Sequence, residues 1–136
     1  MGLGVAEIAR VAGVSAHTVR FYARRGLLRP RRNPRNGYRE FASQDQRAMS
    51  FIRRAQLLGF TLGEIATILE RARRRESPCP VVRDIVRRRV DEFDTRLREL
   101  AEMRQRMNRA LVRWRRMPDR VPTGEEICHL IESVAE

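Results

Sequence analysis

The sequence predicts a mainly α-helical chain with one small hairpin, and three observations carry that prediction. Apolar residues recur every three or four positions along most of the chain, as in helices that each bury one face. The interruption from 27 to 41 contains Pro30 and Pro34, which exclude a helix there, and the turn pair Asn36-Gly37. From Pro80 to about Arg116, Val86, Val90, Phe93, Leu97, Leu100, Met103, Met107, Leu111 and Trp114 form one apolar seam on an Arg/Glu-studded helix. At about 1.5 Å per residue that helix is roughly 55 Å long, too long to bury its seam in so small a chain. Such a seam pairs with a second helix as a coiled coil, so the expectation is a two-fold dimer; the alternative is that it packs on its own chain.

Taken in order, Val5 to Ala12 reads as a short helix with Ile8, Ala9 and Ala12 inward, broken at Gly13. Ser15 caps a second helix that ends near Gly26. A small residue at Ala9, the glycine four residues later, Val14 tucked back, Val19 at the crossing and Tyr22 beyond it match the spacing of a helix-turn-helix. Ala16, His17, Thr18 and Arg20 then face outward, at the end that enters a major groove. Leu27 to Phe41 (LLRPRRNPRNGYREF) follows as a wing, a basic hairpin carrying Arg31, Arg32, Arg35, Asn36, Tyr38 and Arg39. An aromatic among arginines suits phosphate and sugar contact better than base reading. A merely solvated basic loop is the plainer alternative.

Ser43-Gln-Asp-Gln46 reads as a capping box opening a helix with Met49, Phe51, Ile52 and Ala55 inward and Gly59 closing it. Arg53 and Arg54 lie outside that core. Thr61-Leu-Gly-Glu64 is a second box, starting a helix with Leu62, Ile65, Ile68 and Leu69, so a second helix-turn-helix-like unit follows the first. Ser77-Pro78-Cys79-Pro80 is a linker into the long helix. Beyond Trp114 a loop runs to Pro122, and Thr123-Gly-Glu-Glu126 reads as a third box. Ile127, Leu130, Ile131 and Val134 give a short final helix with Cys128 in its first turns. The expected domains are a winged helix-turn-helix over 1–75, a dimerisation helix over 76–116 and a loop with its last helix over 117–136.

The net charge is +12 over 136 residues, and every basic side chain is Arg rather than Lys. Arginine suits bidentate contacts to phosphate and guanine, so nucleic acid is the leading partner. There is no secretory signal or apolar run of membrane-spanning length, which argues against a membrane role. Two cysteines, Cys79 and Cys128, make no disulfide scaffold, and a cytoplasmic location is expected. No C-x-x-C, Cys-His-Asp arrangement or phosphate-cradling glycine loop is present, so an enzyme is not expected.

Together IARVAGVSAHTVRFYARRGLL, RNGYREF, FIRRAQLLGF and TLGEI resemble the MerR family of transcriptional regulators, and the long helix with its capped tail resembles the metal-responsive branch. The resemblance implies a homodimer with an antiparallel coiled coil, each winged domain on half of a palindromic promoter element in double-stranded DNA. An effector makes the dimer bend and untwist that element so that RNA polymerase engages. Carried over by position, Thr18, Arg20 and Tyr22, the wing residues Tyr38 and Arg39, and Arg54 match family DNA-contact positions. For the effector, Cys128 matches a loop cysteine and Cys79 one at the start of the partner's long helix, with His129 as an added ligand. The implied cofactor is a thiophilic divalent ion of the zinc, cadmium, lead or mercury class. The family's first loop cysteine has no counterpart near Trp114, Asp119 or Arg120. Two further functions therefore stand beside metal sensing: a thiol redox sensor, and a constitutive architectural DNA-binding protein without ligand.

Overall fold

The structure, a computed structural model, describes residues 2–136. It divides into two compact units, Met1–Arg83 and Asp84–Glu136.

The first unit opens with α1 (Val5–Ala12) and α2 (Ala16–Arg24). Gly13 joins them at φ 70°, a left-handed conformation that a side chain resists, and its amide and that of Val14 return to carbonyls of α1. Ser15 accepts the amide of Thr18 at 3.1 Å, as its capping role predicts. The wing follows as β1 (Arg31–Arg32) and β2 (Arg39–Glu40), antiparallel with Arg31 opposite Glu40 and Arg32 opposite Arg39. Its turn is wider than a two-residue hairpin: the amide of Asn33 donates to the carbonyl of Tyr38 at 2.8 Å, with Gly37 at φ 73°. Leu3 adds a bridge to Phe41, each amide donating to the other's carbonyl at 2.7 Å. The amino-terminal segment thus forms a third rung at the base of the wing.

Next come α3 (Ser43–Leu57) and α4 (Leu62–Arg73). The box expected at Ser43 is displaced by one residue: Ala42 occupies the cap position. Asp45 supplies the capping carboxylate, taking the amide of Ala42 at 3.1 Å and that of Arg29 at 2.9 Å. Asp45 is buried, so it ties α3 to the chain entering the wing. Phe51 corrects another expectation. It lies exposed at 37%, while Ala48 takes the inward position with Met49, Ile52 and Ala55. The Thr61 box forms as expected, Thr61 Oγ1 accepting from Glu64 at 3.1 Å and the Glu64 carboxylate from Thr61 at 2.8 Å. Ile8, Val19, Leu27, Leu28, Phe41, Ile52 and Ile65 make the centre of the core. Arg73 donates to the carbonyls of Gly26 and Leu27, each at 2.9 Å, pinning the end of α4 to the exit from α2. Partial burial and then nearby Arg29 lower its pKa, with Glu70 and Asp45 opposing.

The long helix, α5 (Cys79–Trp114), has 36 residues and starts one residue before Pro80. Pro80 lies in the first turn, where its missing N–H leaves no bond unmade. Of the seam, Val90, Phe93, Leu97, Leu100, Met103, Met107 and Leu111 are exposed. The tail departs furthest from expectation. The third box at Thr123 does not form, and the last helix, α6 (His129–Glu132), has only four residues with Cys128 as its cap. Glu132 turns back instead and accepts the amides of Ile127 and Cys128, both at 2.9 Å. Trp114 Nε1 donates to the carbonyl of Leu130 at 2.8 Å, holding α6 to the end of α5.

Candidate nucleic-acid interface

The wing folds back beside the first two helices and leaves a cleft of about 790 Å³ between them. Arg20 and Arg24 line it from α2, and Arg32, Asn36, Tyr38 and Arg39 line it from the wing. Four guanidiniums and a phenol in one cleft, tempered by Glu7 and Glu40, make a surface for a polyanion. The wing is stiffened from within. Arg32 donates to the carbonyl of Gly37 at 2.9 Å, and the Asn36 side chain accepts the amide of Tyr38 at 2.9 Å. Tyr38 is thereby presented outward, 74% exposed. A large aromatic side chain held in water beside arginines suits contact with phosphate and sugar.

The sequence-predicted residues separate into groups here. Arg20, Arg32, Asn36, Tyr38 and Arg39 come together in the cleft, whereas His17, Thr18, Arg31 and Arg54 do not line it. His17, Arg31 and Arg54 are exposed elsewhere on the unit, and Thr18 is half-buried with its hydroxyl 2.9 Å from that of Ser15. Tyr22 is packed in the core at 7% exposure, which suits its ring to seating α2 rather than to reaching a base. Arg24 escaped the sequence analysis. Its signal was its place four residues after Arg20, which puts both on one face of the same helix.

The candidate effector residues lie in both units. In the first, Cys79 is the opening residue of α5 and its thiol is free and exposed. In the second, Cys128 is free and half-buried beside a cavity of about 230 Å³ that Asp119, Glu126 and His129 also line. His129 Nε2 and Glu126 Oε1 are buried there without a hydrogen-bond partner, while Glu126 Oε2 takes Arg120 at 2.7 Å. Buried unpartnered polar atoms of this kind invite a ligand. Among the described residues no three His, Cys, Asp or Glu side chains are grouped to hold an ion.

Known proteins resemble this arrangement along its whole length. Residues 4–72 match the MerR HTH family regulatory protein description, and residues 46–110 match the family described as MerR, DNA binding. The HTH-type transcriptional regulator HmrR of Rhizobium leguminosarum bv. viciae is 33% identical over 103 residues, 76% of this chain and 79% of that protein. The mercuric resistance operon regulatory protein of Bacillus cereus is 30% identical over 136 residues, 98% of each. A transcription regulator from Ralstonia metallidurans, solved in complex with lead(II), superposes with a TM-score of 0.72 at 28% identity, covering 98% of this chain and 99% of that one. These three are regulators, not enzymes.

Proposed function

The chain belongs to the MerR HTH family of regulatory proteins, and from that premise we propose that it is a homodimeric, effector-responsive transcriptional regulator acting on a palindromic promoter element. The observation that carries this is the cleft uniting Arg20 and Arg24 of α2 with Arg32, Tyr38 and Arg39 of the wing. Arg20 reads a base edge in the major groove, with His17 and Thr18 at the leading end of the same helix. Arg24, Arg31, Arg32, Asn36, Tyr38, Arg39 and Arg54 fix the duplex by its backbone. Two such units, joined by paired long helices, grip two half-sites. Bending and untwisting the duplex between them converts an unfavourable promoter spacing into one that RNA polymerase engages.

The proposed effector is a thiophilic divalent ion. Supporting this, the relatives include a mercuric resistance regulator and a lead(II) complex. In this chain the donors are Cys128 and His129 of the tail, which line one cavity where His129 Nε2 is buried without a partner, with Cys79 of a second chain. A bound ion would supply a crosslink between thiolates and imidazole, a donor set suited to borderline and soft cations. Glu126 is the nearby carboxylate.

Footprinting of purified protein on a promoter-spacing series tests this, repeated with zinc, cadmium, lead and mercury salts and under oxidation. The expected result is a symmetric footprint in every condition, with untwisting signals appearing only with one of the ions. Cys79→Ser and Cys128→Ser should each abolish that response and leave the footprint intact. Induction by oxidant, with a covalent dimer on a non-reducing gel that either substitution removes, would establish the redox sensor instead. A footprint that responds to no ion and no oxidant would leave the architectural protein.

A further inference from the structure

From Val86 to Trp114 the exposed seam of α5 carries one anomaly. Read in heptads, Val86, Phe93, Leu100, Met107 and Trp114 occupy one apolar position throughout, and Val90, Leu97 and Leu111 occupy the other. Arg104 falls in the second series, between Leu97 and Leu111, with Met103 only beside it. A charge at such a position costs a coiled coil stability, and selecting one pairing over others is the best-attested role for it.

We infer that Arg104 sets the orientation and register of the helix pair by lying against Phe93 of a second copy. This rests on the dimer proposed above and adds to it which residues meet. In a parallel, in-register pair each residue of the Val90 series faces its own counterpart, so Arg104 would face Arg104 across a desolvated seam. In an antiparallel pair each faces a member of the Val86 series, all of which are apolar. Three heptad registers satisfy that rule near the middle of the helix, and they place Arg104 against Val86, Phe93 or Leu100. Only the middle one offers an aromatic face, which attracts a guanidinium and accommodates its stem. That register also sets Leu97 on Leu100, Val90 on Met107 and Val86 on Leu111, using apolar side chains along most of the seam. Of these, Val90, Phe93, Leu97, Leu100, Met107 and Leu111 are all exposed in the single chain. Charge favours the same orientation. From Met103 to Arg116 there are six arginines and no acid, whereas from Asp84 to Glu102 six acids meet five arginines. A parallel pair would lay the two strongly basic ends together.

The test uses the full chain with Cys79→Ser, Cys128→Ser and Arg88→Cys, a nitroxide on the new thiol, and dipolar distances between the two labels. Arg88 lies on the outer face, and in the inferred register the two copies of this position are 21 residues apart along the pair. At about 1.5 Å per residue that is roughly 30 Å of axial separation. The neighbouring registers give roughly 20 Å and 40 Å, and a parallel pair leaves only the width of the coil. The expected result is a single population at the middle value. Adding Arg104→Leu should leave dimerisation at least as tight but split the distances into long and short populations. A wild-type population at another register or at coil width overturns the inference, as does an Arg104→Leu distribution identical to the parent. Labelled protein that runs as a monomer and shows no coupling overturns the dimer itself, a distinct failure.

Discussion

The two units solve the problem of apolar surface in opposite ways. In the unit ending at Arg83, residues from α1, α2, the wing, α3 and α4 converge on one core, and Ile8, Val19, Phe41 and Ile65 are almost wholly out of water. In the unit beginning at Asp84 the long helix leaves Leu97 and Leu100 64% and 65% exposed, and Ile85, near its start, is its only buried apolar residue among those described. The core holds the recognition surface by itself. The seam of the single chain stays in water, so its apolar surface calls for a covering that the first unit does not need.

The sharpest way to break that comparison is to charge the seam. Leu97→Glu or Leu100→Glu should place a carboxylate in the proposed interface and weaken dimerisation by about a hundredfold or more, since burying an unpaired charge costs several kcal/mol. Sedimentation should find monomers whose circular dichroism retains the helices of the first unit, with operator binding greatly reduced. Wild-type protein that is monomeric at micromolar concentration would refute the assignment. A smaller effect is expected inside the reading surface. Arg20→Ala should lower the preference for operator over random duplex by about 1–3 kcal/mol, the range of a base contact. Tyr38→Ala and Arg39→Ala should weaken both complexes to a similar extent. Titrations against both duplexes distinguish these, and an unchanged operator preference for Arg20→Ala would remove it from the base-reading role. The smallest effect contrasts the two ends of the chain. Thr61→Ala should cost about 1 kcal/mol of stability in thermal melts, the usual value of a helix cap. Thr123→Ala should cost nothing measurable, because that box is not made.

That last pair shows where local sequence signals suffice and where they do not. Thr61 and Thr123 open equally good boxes on paper, Thr-x-x-Glu before apolar residues. The first is followed by Ile65 and Ile68, which have a core to enter. The second is followed by Ile127 and Ile131, both exposed, so a helix begun there has no core to enter and only the short α6 forms further on. Phe51 failed for a related reason: apolar spacing allowed either it or Ala48 inward, and Ala48 is the one that is buried. The displaced cap of α3 turned on a long-range partner, the amide of Arg29, that no local pattern contains. The helix-turn-helix was legible because its tight crossing needs a small residue, a glycine and a hydroxyl cap at fixed spacing. The reading cleft was legible in part. Its members on the wing and Arg20 stood out as charge, but their convergence with Arg24 depends on how the hairpin folds back.

The rung between Leu3 and Phe41 has a practical consequence for anyone handling the protein. It brings the amino end to the base of the wing, and Gly2 and Gly4 line the same cleft as Arg20 and Arg39. The space there is already taken: a side chain at Gly2 would meet Glu40 Cβ at 2.6 Å. Any residue larger than glycine at position 2 would therefore press on the wing strand that also carries Arg39.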